Sequence, residues 1–162
     1  MSQTIIVYYS LEGNIDFVAK TLAEKISCSN VIRLETVKAY PTKGLFKFLH
    51  GGKDAIKGFK PELKTELPDL SKFDNIVIAT PVWASRPSAP ISSFIEKCDF
   101  AGKKVFIIAS SAGGSAESTI EAINNEVTKK GATVVASVSF VNPLKQQDKV
   151  KSGIDEFASK VN

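Results

Sequence analysis

The stretch Asn75-Ile76-Val77-Ile78-Ala79-Thr80 decides the fold class of this 162-residue chain. Its apolar residues are continuous, and Val105-Phe106-Ile107-Ile108 has the same pattern. A strand has such a sequence when both of its faces are buried, as in a parallel sheet that is covered by helices on both sides. Together with three further β-branched runs, these stretches predict five strands, at residues 4–9, 30–34, 75–80, 104–109 and 133–141.

Segments with apolar residues at helical spacing separate the predicted strands. Asn14 is the predicted N-cap of the first helix, Pro90 lies near the start of another, and Gly131 follows the basic last turn of a third. Alternating strands and helices predict an α/β domain, doubly wound, that spans residues 1–162. Residues 38–70 form an irregular basic segment, in which we expect a short helix at 45–49 and a broken helix or loop around Gly51-Gly52.

Composition excludes several classes of protein. The chain is 43% hydrophobic and 23% charged, which is typical of a globular domain and excludes a disordered or fibrous one. Two cysteines, Cys28 and Cys98, are too few for a disulfide scaffold or a four-cysteine zinc site. The sequence contains no secretory signal and no apolar run of the ~18–20 residues that a membrane span needs, so we expect a cytoplasmic protein that is not bound to a membrane.

In an open parallel sheet, ligands bind beyond the carboxyl ends of the strands, so the loops that follow the strands are the candidate sites. The first loop, Ser10-Leu11-Glu12-Gly13-Asn14-Ile15, leads into a helix N-terminus, where backbone N–H groups attract anions. The loop lacks the dinucleotide and Walker glycine patterns. It is therefore either an anion site or a simple capped turn.

Two more loops differ from simple connectors. The loop after the third strand, Thr80-Pro81-Val82-Trp83-Ala84, carries the single tryptophan of the chain, which either stacks on a planar ligand or folds back onto the core. The loop after the fourth strand, Ser110-Ser111-Ala112-Gly113-Gly114-Ser115, is made of small residues that let the backbone approach a flat ligand closely. All three loops are expected at one edge of the sheet.

These three loops resemble those of the flavodoxin-like family of FMN proteins. The resemblance is greatest to a branch of small microbial flavodoxin-type proteins with a Thr-Pro-Val-Trp loop, and the order of elements matches over nearly the whole chain. It implies a three-layer α/β fold with a five-stranded parallel sheet in the order 2-1-3-4-5, and FMN as a non-covalent cofactor. The implied cofactor-binding residues are Ser10, Leu11, Glu12, Gly13, Asn14, Ile15, Thr80, Pro81, Val82, Trp83, Ala84, Ser110, Ser111, Ala112, Gly113, Gly114 and Ser115.

One residue departs from the family pattern. The family usually has Thr or Ser where this chain has Ile15, so one hydroxyl donor to the phosphate is missing. A hydrogen bond to a charged group contributes ~1.5–3 kcal/mol, so we expect weaker retention of FMN. No catalytic residue or metal site is predicted, and His50, the single histidine, is expected at the surface.

The net charge of +4 is a second departure, since electron-shuttling flavodoxins are generally acidic. Residues 38–64 hold seven lysines and two acids, a net of +5, which leaves −1 for the rest of the chain. The charge therefore gives no support for nucleic-acid binding. The segment is either a solvated face or a docking patch, for an acidic redox partner or for a dinucleotide phosphate. Three functions stay open: an electron carrier between protein partners, an NAD(P)H-dependent reductase of quinones or flavin, and an FMN-free interaction module.

Overall fold

The computed structural model describes residues 2–43 and 45–162, with side chains for all of these except residues 45–48. Strands and helices alternate along this part of the chain, and none of its helices is long and apolar enough to cross a membrane. The strands are β1 (Thr4–Tyr8), β2 (Val31–Arg33), β3 (Asn75–Trp83), β4 (Arg86–Pro87), β5 (Lys104–Ser111) and β6 (Thr133–Val141). The helices are α1 (Asn14–Lys25), α2 (Leu45–Lys57), α3 (Ala89–Lys97), α4 (Glu117–Lys129) and α5 (Gln147–Val161).

The sheet has parallel strands in the order β2-β1-β3-β5-β6, and helices cover both of its faces. This confirms the predicted parallel α/β fold. The predicted count of five strands is wrong, because a sixth strand, β4, pairs antiparallel with the end of β3. The hairpin was hidden in the sequence, because its turn, Ala84-Ser85, lacks the usual Asn-Gly signal and Pro87 argues against a strand.

Successive residues of the central strands enter two separate cores. Ile76 and Ile78 of β3 face the core that α3 and α4 close, whereas Val77 and Ala79 face the core that α1 and α5 close. All four side chains are fully buried. The continuous apolar sequence of β3 is therefore explained by burial on both faces, as predicted.

Helix α2 differs from the prediction for its region. The helix continues through Gly51 and Gly52, where a break or a loop was expected. Each glycine disfavours a helix interior by about 1 kcal/mol relative to alanine, so packing must compensate. Gly51 is buried against Trp83, and Asp54 accepts a 2.7 Å hydrogen bond from the Tyr40 hydroxyl. These contacts hold α2 against the end of β3.

Candidate functional site

A cavity of about 410 Å³ lies at the carboxyl ends of β1, β3 and β5. Its walls come from the three loops that the sequence analysis selected. Twelve of the seventeen predicted residues line it, namely Ser10, Leu11, Glu12, Asn14, Ile15, Pro81, Val82, Trp83, Ala84, Ser110, Ser111 and Ala112. Two residues that the sequence analysis missed, Gly52 and Asn142, complete the lining.

The other five predicted residues lie outside the lining. Thr80 is fully buried, and its hydroxyl accepts a 2.9 Å hydrogen bond from the backbone N–H of Ser88, so it anchors the β3–β4 hairpin instead. Ser115 accepts a hydrogen bond from the backbone N–H of Glu117, the first residue of α4, so its hydroxyl holds the end of the loop instead. The remaining three are glycines of the first and third loops, Gly13, Gly113 and Gly114.

The first loop turns into α1 at Gly13, whose φ of +97° favours glycine. The backbone N–H of Gly13 donates to the Ser10 hydroxyl at 3.1 Å. The predicted N-cap role of Asn14 is wrong, because Gly13 takes the cap position and Asn14 is the first residue of α1. The side-chain carbonyl of Asn14 instead accepts a 3.1 Å hydrogen bond from Leu144, which leaves its NH₂ group to donate to a ligand.

Arg33 supplies positive charge beneath this loop. Its guanidinium donates a 2.8 Å hydrogen bond to the Ser10 carbonyl and lies 3.8 Å from the Asp16 carboxylate. Burial raises the pKa of Asp16, but hydrogen bonds from Lys20 and Tyr8, and the charges of Lys20 and Arg33, outweigh it and hold the pKa below its usual value. Sequence analysis missed Arg33. The signal was a cation at the end of β2, the strand that pairs with β1.

Trp83 belongs both to the cavity wall and to the core. The indole is 9% exposed and packs edge-on against Tyr40 and Tyr9, with ring centroids 4.9 and 5.5 Å apart. Gly51 of α2 lies against the ring. Burial raises the pKa of the Tyr9 hydroxyl to about 12. Of the two alternatives for Trp83, the structure shows the packing onto the core, and the same side chain also lines the cavity, where stacking on a ligand stays a prediction.

The turn of the β3–β4 hairpin places strained backbone at the cavity. Ala84 and Ser85 have φ values of +50° and +63°, the left-handed pair of a type I′ turn, which glycine and asparagine usually occupy. For other residues this conformation costs roughly 1–2 kcal/mol each. Ala84 lines the cavity, so the strained segment faces the place where a ligand would bind.

Asn142 organises the third loop. Its backbone N–H donates to the Ser111 carbonyl at 2.9 Å, and its side-chain amide donates to the Ala112 carbonyl at 3.1 Å. It has a φ of +43°, a conformation that asparagine tolerates better than most residues. The available signal was an asparagine directly after β6, the neighbour of β5 in the sheet.

A sequence profile described as Flavodoxin matches residues 3–156, which is nearly the whole chain. The chain belongs to the flavodoxin family. This match confirms, at the level of the family, the resemblance that the three loops indicate. A comparison with curated proteins finds no match.

Solved structures resemble this flavodoxin-family chain over most of its length. A flavoprotein from Lactobacillus acidophilus in complex with FMN is 21% identical to this chain, with a TM-score of 0.73. The match covers 91% of this chain and 98% of the Lactobacillus chain. A Fusobacterium nucleatum flavodoxin bound to flavin mononucleotide is 15% identical, with a TM-score of 0.64, and the match covers 99% of this chain and 97% of the Fusobacterium chain. A two-electron reduced Megasphaera elsdenii flavodoxin is 18% identical, with a TM-score of 0.58, and the match covers 97% of this chain and 99% of the Megasphaera chain.

The flavodoxin family binds FMN, and the cavity of this chain has the chemistry for it. One end offers the N-terminus of α1, the Asn14 amide and the nearby Arg33, which together suit a phosphate. The other end is apolar and aromatic, with Trp83 and Pro81 in the wall, which suits a planar ring. The volume lies in the range usual for small-molecule sites, roughly 300–1,000 Å³.

Proposed function

We propose that this chain holds FMN non-covalently in the cavity and carries electrons between protein partners. The observation that carries the proposal is the convergence of an anion-binding helix N-terminus, an aromatic hairpin and a small-residue loop on one cavity. Bound FMN supplies the redox chemistry by accepting and releasing electrons. The residues of the chain bind, orient and shield it.

The phosphate end of the proposed site works through hydrogen bonds and charge. The backbone N–H groups of the first turn of α1 and the Asn14 side-chain NH₂ would donate to the phosphate. Ser10 accepts from Gly13, which leaves its own O–H to donate. Arg33 adds a positive charge behind the loop, and this charge is shared with Asp16.

The ring end of the proposed site works by excluding water. Trp83, with Tyr9 and Tyr40 packed behind it, forms a dry wall from which we expect the ring to gain stacking energy. Among the described residues that line the cavity, Glu12 has the one ionisable side chain. The lining is therefore suited to holding a ring in place rather than to moving protons.

Ile15 is the weak point of the proposed site. Its side chain is 1% exposed and packs in the core beneath α1. Ile15 therefore adds buried apolar surface, but it lacks the hydroxyl with which Thr or Ser would bind the phosphate. Ile15 still lines the cavity. We therefore expect FMN to bind more weakly than it would with Thr at this position.

Location forms part of the same proposal. Cys28 and Cys98 are both unpaired thiols, and burial raises the pKa of Cys98 to about 11, so it stays protonated and unreactive. Unpaired thiols suit a reducing compartment, which supports a cytoplasmic carrier.

Flavin retention is the decisive experiment. Purified protein is mixed with excess FMN, desalted, and measured for flavin absorbance near ~450 nm, because the proposal requires bound flavin. We expect stoichiometric flavin. Protein that elutes without flavin would contradict the proposal and leave the FMN-free interaction module as the better hypothesis.

A matched pair of variants locates the flavin. Asn14→Ala should weaken FMN binding about ten-fold or more, since it removes a hydrogen bond to a charged group. Asn125→Ala, an exposed asparagine of α4, is the control and should leave the affinity unchanged. An NAD(P)H oxidation assay with a quinone then separates carrier from reductase, because turnover above the free-FMN background would reject the pure carrier.

A further inference from the structure

The outer face of α2 is both apolar and basic. Leu49, Lys53 and Ile56 follow one another at the spacing of a single helix face, and Lys57 adjoins them. The Leu49 and Ile56 side chains are 62% and 63% exposed. Seven large hydrophobic side chains are exposed in the described chain, and four of them lie between residues 37 and 59. We call the exposed side chains of this region the α2 surface, formed by Val37, Lys38, Leu49, Lys53, Ile56, Lys57 and Phe59.

A groove of about 470 Å³ opens on the α2 surface. Val37, Tyr40 and Phe59 form apolar and aromatic walls, and Val37 and Phe59 are 60% and 53% exposed. Lys38 and His50 line the same groove, and so do the carboxylates of Asp54 and Glu62. His50 lies at the surface, as the sequence predicted. The groove is the right kind of site for one apolar side chain of a partner, because interface hot spots consist of such anchors in pockets.

The three lysines of the α2 surface are available to a partner. Of the lysines between residues 38 and 64, Lys60 pairs with Glu96 at 3.1 Å and Lys64 pairs with Glu35 at 3.8 Å. No ion pair to another described residue engages Lys38, Lys43, Lys53 or Lys57. The side chain of Lys47 lies outside the described part of the chain. Residues 38–64 thus carry a net charge of +5 with Asp54 and Glu62 included, on an otherwise near-neutral domain.

The α2 surface lies directly behind the cavity. On its inner side, a Cβ atom at Gly51 would lie 3.1 Å from the Trp83 indole, and one at Gly52 would lie 3.6 Å from the Ala84 side chain. Gly52 also lines the cavity, and the groove residue Tyr40 packs against Trp83. The thickness of a single helix, about 10 Å, therefore separates a partner on the outer face from the cavity.

We propose that the α2 surface docks an acidic redox protein that places an apolar side chain in the groove and carboxylates against the lysines. This inference rests on the proposed function, because the docked partner exchanges electrons with flavin in the cavity. Charge complementarity selects the partner, and the uncompensated lysines would steer its approach. The groove receives the apolar side chain of the partner. The short distance from the groove to the cavity brings the redox centre of a docked partner close to the flavin.

The test measures electron transfer to the FMN-loaded protein from a reduced acidic [4Fe–4S] ferredoxin by stopped flow. Two ferredoxin molecules each lose one electron to one flavin, which takes up a proton from water. Between low salt and roughly 0.5 M salt, where screening is nearly complete, we expect the second-order rate to fall about ten-fold or more. At low salt, Lys53→Glu/Lys57→Glu should reduce the rate by a similar factor.

The matched control is Lys149→Glu/Lys151→Glu, which makes the same change of charge on α5, across the sheet from α2. It should change the rate less than about two-fold if local steering dominates. Phe59→Ser should lower the rate even at high salt, because it removes an apolar wall of the groove. Equal rates for the two double variants, or a wild-type rate independent of salt, would overturn the docking proposal.

Two measurements separate the possible failures. Protein that retains no FMN fails the proposed function itself, whereas protein that holds FMN normally but transfers electrons equally in both double variants fails the docking proposal alone. Vesicles of phosphatidylserine and phosphatidylcholine test a lipid surface as the occupant. Vesicle binding that Lys53→Glu/Lys57→Glu abolishes, with electron transfer unaffected, would reject the protein partner in favour of a membrane.

Discussion

Gly51 lies directly against the indole ring of Trp83, so that a methyl group at Gly51 would come within 3.1 Å of two ring carbons, Cδ2 and Cε3. The indole has little room to move away, because Tyr9 and Tyr40 pack against it. This contact sets the position of α2 relative to the cavity. It also explains why a glycine lies in the interior of a helix.

Gly51→Ala should lower the free energy of unfolding of the FMN-free protein by about 1–2 kcal/mol, because overpacking against Trp83 outweighs the gain in helix propensity. Gly52→Ala is the control, since its methyl group would meet Ala84 at an ordinary 3.6 Å. The control should be neutral or more stable by up to about 1 kcal/mol. Denaturant unfolding followed by Trp83 fluorescence measures both, and equal stabilities would mean that the contact is not tight.

Trp83→Phe should weaken FMN binding about three- to thirty-fold, because stacking on an aromatic ring contributes ~1–3 kcal/mol and phenylalanine keeps only part of it. Stability should also fall, since Trp83 packs on Tyr9 and Tyr40. Flavin fluorescence titration gives the dissociation constant and denaturant unfolding gives the stability. A stability loss with an unchanged dissociation constant would make Trp83 a core residue alone.

Ile15→Thr should tighten FMN binding about ten-fold, because it adds a hydroxyl donor to the phosphate. It should also destabilise the FMN-free protein by about 1–3 kcal/mol, since Ile15 is buried in the core beneath α1. Ile15→Val is the control that trims the same side chain without adding a hydroxyl. If both variants bind FMN alike, the hydroxyl has no role at this position.

Ser85→Gly should raise the free energy of unfolding by up to about 1 kcal/mol, because glycine relieves the left-handed strain at a φ of +63°. Ser27→Gly is a matched control, with the same change at a φ of +52° after α1, and should stabilise by a similar amount. Ser85→Gly alone should also change FMN affinity, because its turn borders the cavity. A decrease in stability in both variants would argue against strain at these positions.

Alkaline pH should destabilise the folded protein. Burial raises the pKa of Tyr9 from 10.0 to about 12, and burial together with hydrogen bonds to carboxylates raises the pKa values of Tyr8 and Tyr40. The unfolded chain loses these protons first, so the stabilisation is complete below pH 10 and declines as the pH rises towards 12. Unfolding at a series of pH values measures this, and Tyr9→Phe should flatten the decline. Native tyrosines that ionise at pH 10 would contradict it.

The parallel sheet and the three loops of the site could be predicted because their signals are local. Continuous apolar runs such as Ile76-Val77-Ile78 indicate burial on both faces, and parallel strands bring their carboxyl ends to one edge. Those two facts are enough to predict that Ser10, Trp83 and Ser110 lie close together, and all three line the same cavity.

The α/β class of this chain, its family and the edge of the sheet where the candidate site lies can be predicted from the sequence, because short-range patterns encode them. The contacts of Gly51 with Trp83, of Thr80 with Ser88, and of Arg33 and Asn142 with the loops exist only in the folded chain. These contacts join residues on different elements, and no periodicity in the chain encodes such a pairing. The glycine that sequence patterns indicate as a helix break is, once the chain has folded, what lets α2 lie against the indole.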